Sequence, residues 1–218
     1  MKFKKKIMCT TLFFGILVTQ NPLDSTIALA STIDNYQKSQ DELATNNLNE
    51  NQQLNIKNAL DYVNNWWNNR NPDYAKWDPN DCMNYVSQIL KAGGIKETLP
   101  STIQPSGIDS NKNYWYSKKQ GDNIFTESST WINVEDFYTF WSKTQKVITP
   151  DKLNIMRDIE VGDVIQLQKK SGGSYYHAMF VVKKDSETVY LTGHTNDREA
   201  LDIRNIQGDN FRVIKFSR

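Results

Sequence analysis

The sequence predicts an α+β domain in which N-terminal helices pack on a C-terminal antiparallel β-sheet. Three observations predict it. Apolar residues recur at three- and four-residue spacing as far as about Lys143. From Val161 onward the period changes to two, in runs rich in Val, Ile, Tyr and Phe. The polar stretch Lys184-Asp185-Ser186-Glu187 then joins two of those runs as a hairpin.

The first residues belong to no fold. Lys2, Lys4, Lys5 and Lys6 form a basic start, Ile7 to Val18 is a short apolar run, and Ala28-Leu29-Ala30 is an A-x-A cleavage site. Residues 1–30 therefore read as a secretory signal peptide, with Ser31 as the mature N-terminus and an extracellular or wall-associated destination. No later segment approaches the roughly 20 apolar residues of a membrane helix, so no span is expected after cleavage. Of the 26 Lys and Arg residues four lie in the leader, and of the 25 Asp and Glu only Asp24 does, which leaves 22 against 24. That balance gives no reason to expect a nucleic-acid partner. The remaining ~190 residues suffice for one well-cored domain, expected to act as a monomer.

Residues 31–53 are polar and rich in Asn and Gln, and read as a flexible arm before a domain spanning 54–218. Ile56, Ala59, Leu60, Val63, Trp66 and Trp67 trace an amphipathic helix that Pro72 forbids to continue. A second helix is predicted over the stretch Trp77 to Gly94. Pro79 and Asp81 are its start signals, Cys82, Tyr85, Val86, Ile89 and Leu90 share a face, and Gly93-Gly94 ends it. Ile95 to Thr130 reads as a long irregular insertion, and a third helix is expected from Val134 to Lys143 with Phe137, Phe140 and Trp141 inward. Strands are expected at Val161–Leu167, Tyr175–Lys183 and Thr188–Thr192, with shorter ones at 203–206 and 211–216.

Cysteine usage points to chemistry. With the leader and its Cys9 removed, Cys82 is alone and has no disulfide partner, and the chain has only two histidines, His177 and His194. A thiol at a helix start feels the positive end of the helix dipole, which favours the nucleophilic thiolate. The hairpin supplies a geometric test. If Asp185-Ser186 is its turn, His177 lies opposite His194; if Ser186-Glu187 is, His177 faces Asn196; a three-residue turn would bring Thr195 there instead. Cys82 can then attack a carbonyl, His177 can act as its base, and His194 or Asn196 can orient the imidazole. The Cys82 amide would be an oxyanion donor. Asp81, Trp77, Trp115 and Trp131 are candidate substrate contacts, although such aromatics also serve to anchor loops to a core.

Several blocks of the chain resemble the bacterial putative amidase domain family. They are Asn71-Pro72-Asp73-Tyr74, Asp81-Cys82-Met83-Asn84-Tyr85-Val86-Ser87-Gln88, Ala92-Gly93-Gly94 and Ser129-Thr130-Trp131-Ile132-Asn133-Val134. Gly162-Asp163-Val164-Ile165-Gln166, His177-Ala178 and the block Tyr190 to Asp197 follow in family order, so the resemblance runs from about residue 54 to 203. The family is similar to the CHAP amidases and other papain-like cell-wall hydrolases. It implies a papain-like fold, with Cys82 as nucleophile, His177 as base and His194 as third member. Met83 departs from the expected Thr, and a longer side chain there would narrow the cleft.

The resulting expectation is a secreted cysteine amidase or peptidase, needing no cofactor and no metal, whose partner is peptidoglycan or another amide-containing polymer. The alternative from another class is a non-catalytic wall-binding or adhesion module, which sluggish alkylation of Cys82 would mark. A zinc site of Cys82, His177, His194 and Asp197 lacks the close ligand pairs such sites use.

Overall fold

The structure is a computed structural model, and it describes residues 31–33, 35, 38–39, 53–206 and 209–217. The expected signal peptide, residues 1–30, and most of the expected polar arm lie outside the described residues. The chain divides into two compact units, Met1–Leu43 and Ala44–Arg218. In the first, the described residues are helical. Among the described residues no helix is long and apolar enough to cross a membrane.

The second unit is α+β, as the sequence predicts. Helix α1 (Ile56–Trp66) starts where the Asn55 side chain accepts the Asn58 amide. Helix α2 (Cys82–Ala92) follows, then α3 (Ser129–Ile132), α4 (Val134–Trp141) and the short α5 (Ile155–Asp158). The main sheet has six antiparallel strands in the order β4-β9-β5-β6-β7-β8. These are β4 (Val147–Ile148), β5 (Val164–Lys169), β6 (Tyr175–Lys184), β7 (Val189–Gly193), β8 (Arg198–Asp202) and β9 (Asp209–Ile214). Alternation along the strands divides the core. Val164, Ala178, Phe180 and Ile214 pack with the helices, while Ile165, Met179, Val181 and Val213 pack with Ile159, Val189 and Ile203.

Helix α2 differs from the amphipathic stripe expected of it, because every residue from Cys82 to Leu90 is buried. Its polar members are there as fasteners. Asn84 donates to Ala75 O (2.9 Å) and accepts Trp131 Nε1 (2.8 Å); Ser87 Oγ donates to Trp131 O (2.8 Å) and accepts Trp115 Nε1 (3.2 Å); Gln88 accepts the Tyr62 hydroxyl (2.5 Å). Gly93 is the cap, and Gly94, at φ 93°, takes the left-handed position after it.

Three expectations change. The stretch 95–130 contains a small sheet, order β1-β3-β2, built from β1 (Gly107–Asp109), β2 (Ser117–Gly121) and β3 (Ile124–Ser128). Residues 203–205 form a turn of 3-10 helix instead of a strand. Pro79 lies in the Trp77–Asn80 turn ahead of α2, closed by the Asn80 amide donating to Trp77 O at 2.6 Å.

Candidate active site

The site is assembled where the first turn of α2 meets the start of β6. A cleft of about 650 Å³ is lined by Asn80 and Cys82 from the entry of α2, by residues 132–135 before and within α4, by residues 174–177 and by Thr195 and Asn196. Cys82 and His177 thus share one cleft, with no hydrogen bond between them. Tyr176, His177 and Asn196 also line a smaller hollow of about 190 Å³, together with His194 and Asp209.

The register that brings His177 there is not either of the two expected. The turn is Ser186-Glu187, closed by the Asp185 amide on Thr188 O at 3.0 Å. Near it Lys184 pairs with Val189 and Lys183 with Tyr190, but farther on Val181 pairs with Leu191 and Phe180 with Thr192. Val182 is a bulge residue, and it moves the register by one. Carried to His177, the shifted register points at Thr195, beyond the end of β7. Neither His194 nor Asn196 is its cross-strand partner.

Thr195 explains what happens to those two residues. Its φ is 86°, a region that β-branched residues rarely enter, at a cost of about 1–3 kcal/mol. The strained residue separates two different environments. Asn196 reaches the cleft, whereas His194 is buried, 2% exposed, against Tyr85 with ring centroids 3.6 Å apart. His194 Nδ1 is 2.6 Å from Asp81 Oδ2 and Nε2 is 2.9 Å from Trp66 O. Both ring nitrogens are engaged, so His194 has none left to orient His177. That expectation is corrected: His194 is a buried link, and Asn196 is the cleft-facing member of the pair.

Asp81 is also reassigned. Its side chain makes no cap bond to α2, contrary to the expectation, and at 1% exposure it has no surface for substrate. Its Oδ1 accepts Asn84 Nδ2 (2.8 Å), and its Oδ2 lies 3.2 Å from Arg70 Nε as well as beside His194. Arg70 in turn binds Asp197 (3.0 Å) and Asp78 (3.0 Å). This cluster, buried at Asp81 and His194 and open to solvent at Asp78, fixes the residue that immediately precedes Cys82.

The electrostatics of the pair are set by burial. Cys82 is 6% exposed, and burial pushes its thiol up from the ordinary value. The backbone amides of Ala178, Met83 and Cys82 itself oppose this, and the Asp81 charge adds to it. Burial also lowers the His177 pKa, against the pull of Asp209. The helix-start argument anticipates a lowered thiol; desolvation outweighs it here, since burial is the largest influence on the sulfur. At neutral pH the resting pair is therefore thiol and neutral imidazole.

The remaining sequence candidates divide. Trp115 and Trp131 are 0% exposed and pack on each other at 4.6 Å, so neither has any surface for a substrate. Trp77 is partly buried and donates from Nε1 to Glu127 Oε2 at 2.5 Å, holding the loop before α2 rather than lining the cleft. Met83 is fully buried, its sulfur 3.9 Å from Gln166 Nε2, and does not narrow the cleft. Among the described residues no group of three or more His, Cys, Asp or Glu side chains is arranged to hold a metal ion. Asp209 is a residue the sequence did not flag. It accepts the Tyr176 hydroxyl at 2.6 Å and lines the hollow behind His177, brought there only by the β5–β9 pairing.

A family model described as "Putative amidase domain" matches residues 53–216. The chain belongs to this family. The matched span contains α1, α2, the cleft and the whole main sheet, so the amidase domain and the described second unit nearly coincide. A curated relative, "Uncharacterized protein YhbB" of Bacillus subtilis (strain 168), is 26% identical over 133 residues. The match covers 61% of this chain and spans 38% of the relative's length. No solved structure matches. The family name gives amide hydrolysis as the class of chemistry, and Cys82 and His177 both fall inside the matched amidase domain.

Proposed function

We propose that this amidase domain is a cysteine hydrolase, exported from the cell, that cuts an amide bond in peptidoglycan. The observation that carries the reading is the meeting of Cys82 and His177 in one cleft, with Asn196 at its edge. The sequence arrangement, a cysteine at a helix start followed by a histidine strand, is that of papain-like hydrolases. The leader at residues 1–30 supports export.

The reaction follows from the resting protonation states. When a carbonyl docks over Cys82, His177 takes the Sγ proton as sulfur attacks carbon. The oxygen becomes an oxyanion, for which the Cys82 amide at the helix start is a donor. Collapse breaks the C–N bond, and His177 returns its proton to the departing amine. A water molecule, deprotonated by His177, then cleaves the thioester, releasing the acid and restoring the thiol. The side-chain amide of Asn196, which lines both hollows with His177, is the candidate to orient the imidazole, and the charge of Asp209 favours the transient imidazolium.

Cys82→Ala and Cys82→Ser should abolish release of fragments from purified cell wall while thermal unfolding stays close to wild type. Undiminished release by both variants rejects the reading. Mass spectrometry of wild-type fragments identifies the bond, and a mature N-terminus at Ser31 in culture fluid tests export. A second reading, a wall-binding module, draws on the burial that keeps Cys82 protonated; it requires that wild type bind wall without releasing fragments.

A further inference from the structure

Glu135 is the one formally charged side chain among the residues lining the 650 Å³ cleft. Its side chain is 38% exposed, so the carboxylate is open to whatever the cleft holds. It is also held firmly from behind. Oε1 accepts the Tyr175 amide at 2.6 Å, and Oε2 accepts Arg212 Nη2 at 2.8 Å. Arg212 is itself immobilised, sandwiched between the rings of Tyr138 (3.7 Å) and Tyr175 (3.8 Å), with Nε donating to Gln166 Oε1 at 2.6 Å. The same Gln166 amide donates to Val134 O at 2.9 Å and approaches the sulfur of Met83, the neighbour of the nucleophile. The carboxylate is thereby tied to the helix that carries Cys82. Arg212 lies behind it and is not among the cleft-lining residues, so the ion pair presents its negative end to the cleft.

We infer that Glu135 makes one end of this cleft a subsite for a protonated amine, so that the scissile amide lies in a peptide carrying a free amino group nearby. The inference rests on the hydrolase reading for the words "scissile amide", and on the cleft geometry alone for the amine. A fixed carboxylate discriminates an ammonium from its acetamide in two ways. It accepts charge-assisted hydrogen bonds from the first, and it is desolvated without compensation by the second. Diamino-acid side chains and free peptide N-termini both present the ammonium.

The test uses soluble peptides from peptidoglycan, with amino groups left free or acetylated, on the full mature protein. Wild type should cleave the free-amine peptides with a kcat/KM about 10- to 100-fold higher, most of it in KM. In Glu135→Gln that ratio should fall toward one. Equal cleavage of both peptide sets by wild type overturns the subsite, as does a Glu135→Gln protein that folds and keeps the preference. The wild-type arm needs no variant, so misfolding of Glu135→Gln leaves the test intact. Equilibrium binding of both peptide sets to Cys82→Ala separates the two readings. A binding preference for free amines without turnover by wild type supports the subsite and rejects the hydrolase; turnover without any amine preference does the reverse.

Discussion

Glu127 offers a prediction whose size follows from the structure. The carboxyl is 1% exposed and is pushed up from 4.5 to about 7, because burial penalises its charged form more than two hydrogen bonds repay. Those bonds come from Ser117 Oγ to Oε1 (2.8 Å) and from Trp77 Nε1 to Oε2 (2.5 Å). Between pH 4.5 and 7 the folded protein therefore holds a proton that the unfolded chain has released. Stability from this group is fully present below pH 4.5, falls as pH rises through 7, and is level above. At about 1.4 kcal/mol for each pH unit, the total loss is about 3 kcal/mol. Glu127→Gln removes the titration while keeping the shape: its amide oxygen can accept Trp77 and its NH₂ can donate to Ser117. Urea unfolding of both proteins from pH 4.5 to 8 isolates the effect, because other titrating groups cancel in the difference. Wild type should lose about 3 kcal/mol relative to the variant across that range. A difference constant to within about 0.5 kcal/mol refutes the assignment of a buried, late-ionising carboxyl.

Other expectations follow from the same contacts. Asn196→Ala should lower kcat about 10- to 100-fold with little change in melting temperature, whereas His194→Ala should cost about 1–3 kcal/mol of stability by taking one hydrogen bond from the buried Asp81 Oδ2, which keeps Arg70, and one from Trp66 O. The opposite pattern in paired kinetic and thermal measurements would return the orienting role to His194. Ser87→Ala strands the Trp115 indole N–H and should cost about 1–3 kcal/mol in chemical denaturation, with the fold retained. The acid limb of kcat/KM should fall below the ordinary histidine value near 6.5, since His177 must be neutral to act and burial lowers its pKa; a limb above 6.5 contradicts that burial.

Much of this molecule was legible because period and punctuation agree. The helices at 56–66 and 134–141 and the strands at 164–169, 175–184 and 189–193 fall close to where spacing alone puts them. The small sheet was hidden because Ser117, Lys118, Lys119 and Gln120 lack the apolar alternation that marks a strand with a buried face. The strand Arg198–Asp202 was hidden for a similar reason, since Arg-Glu-Ala-Leu-Asp carries helix-like residues at a sheet edge. Cys82 and His177 as candidates could be read from scarcity, but which of His194 and Asn196 shares their cleft could not. That choice depends on a bulge at Val182 and a left-handed Thr195, and neither a Val-Val pair nor a lone Thr signals such a departure. Trp115 and Trp131 were legible as aromatics near the site, yet only the hydrogen bonds of Ser87 and Asn84 reveal them as core.

The thiol itself requires the last step. A lowered pKa at the helix start would make rapid alkylation below pH 8.5 the mark of an enzyme. Burial removes that criterion, because a catalytic Cys82 and an inert one would both label slowly at rest. What separates them is the surroundings of the sulfur. An inert core thiol needs no donors, whereas the amides of Ala178, Met83 and Cys82 all favour charge on this one. Burial is the larger influence at rest. When a substrate carbonyl arrives, negative charge passes from sulfur to oxygen, beside the amides at the helix start. The proton passes at the same time to His177, whose imidazolium Asp209 favours. On the proposed reading, Cys82 rests as a neutral thiol and ionises only in the act of attack. Alkylation of Cys82 by iodoacetamide should therefore show a midpoint above pH 8.5, while peptide hydrolysis proceeds at full rate near pH 7. An alkylation midpoint well below 8.5 would mean that a resting thiolate, held by the amides against burial, is the form that reacts.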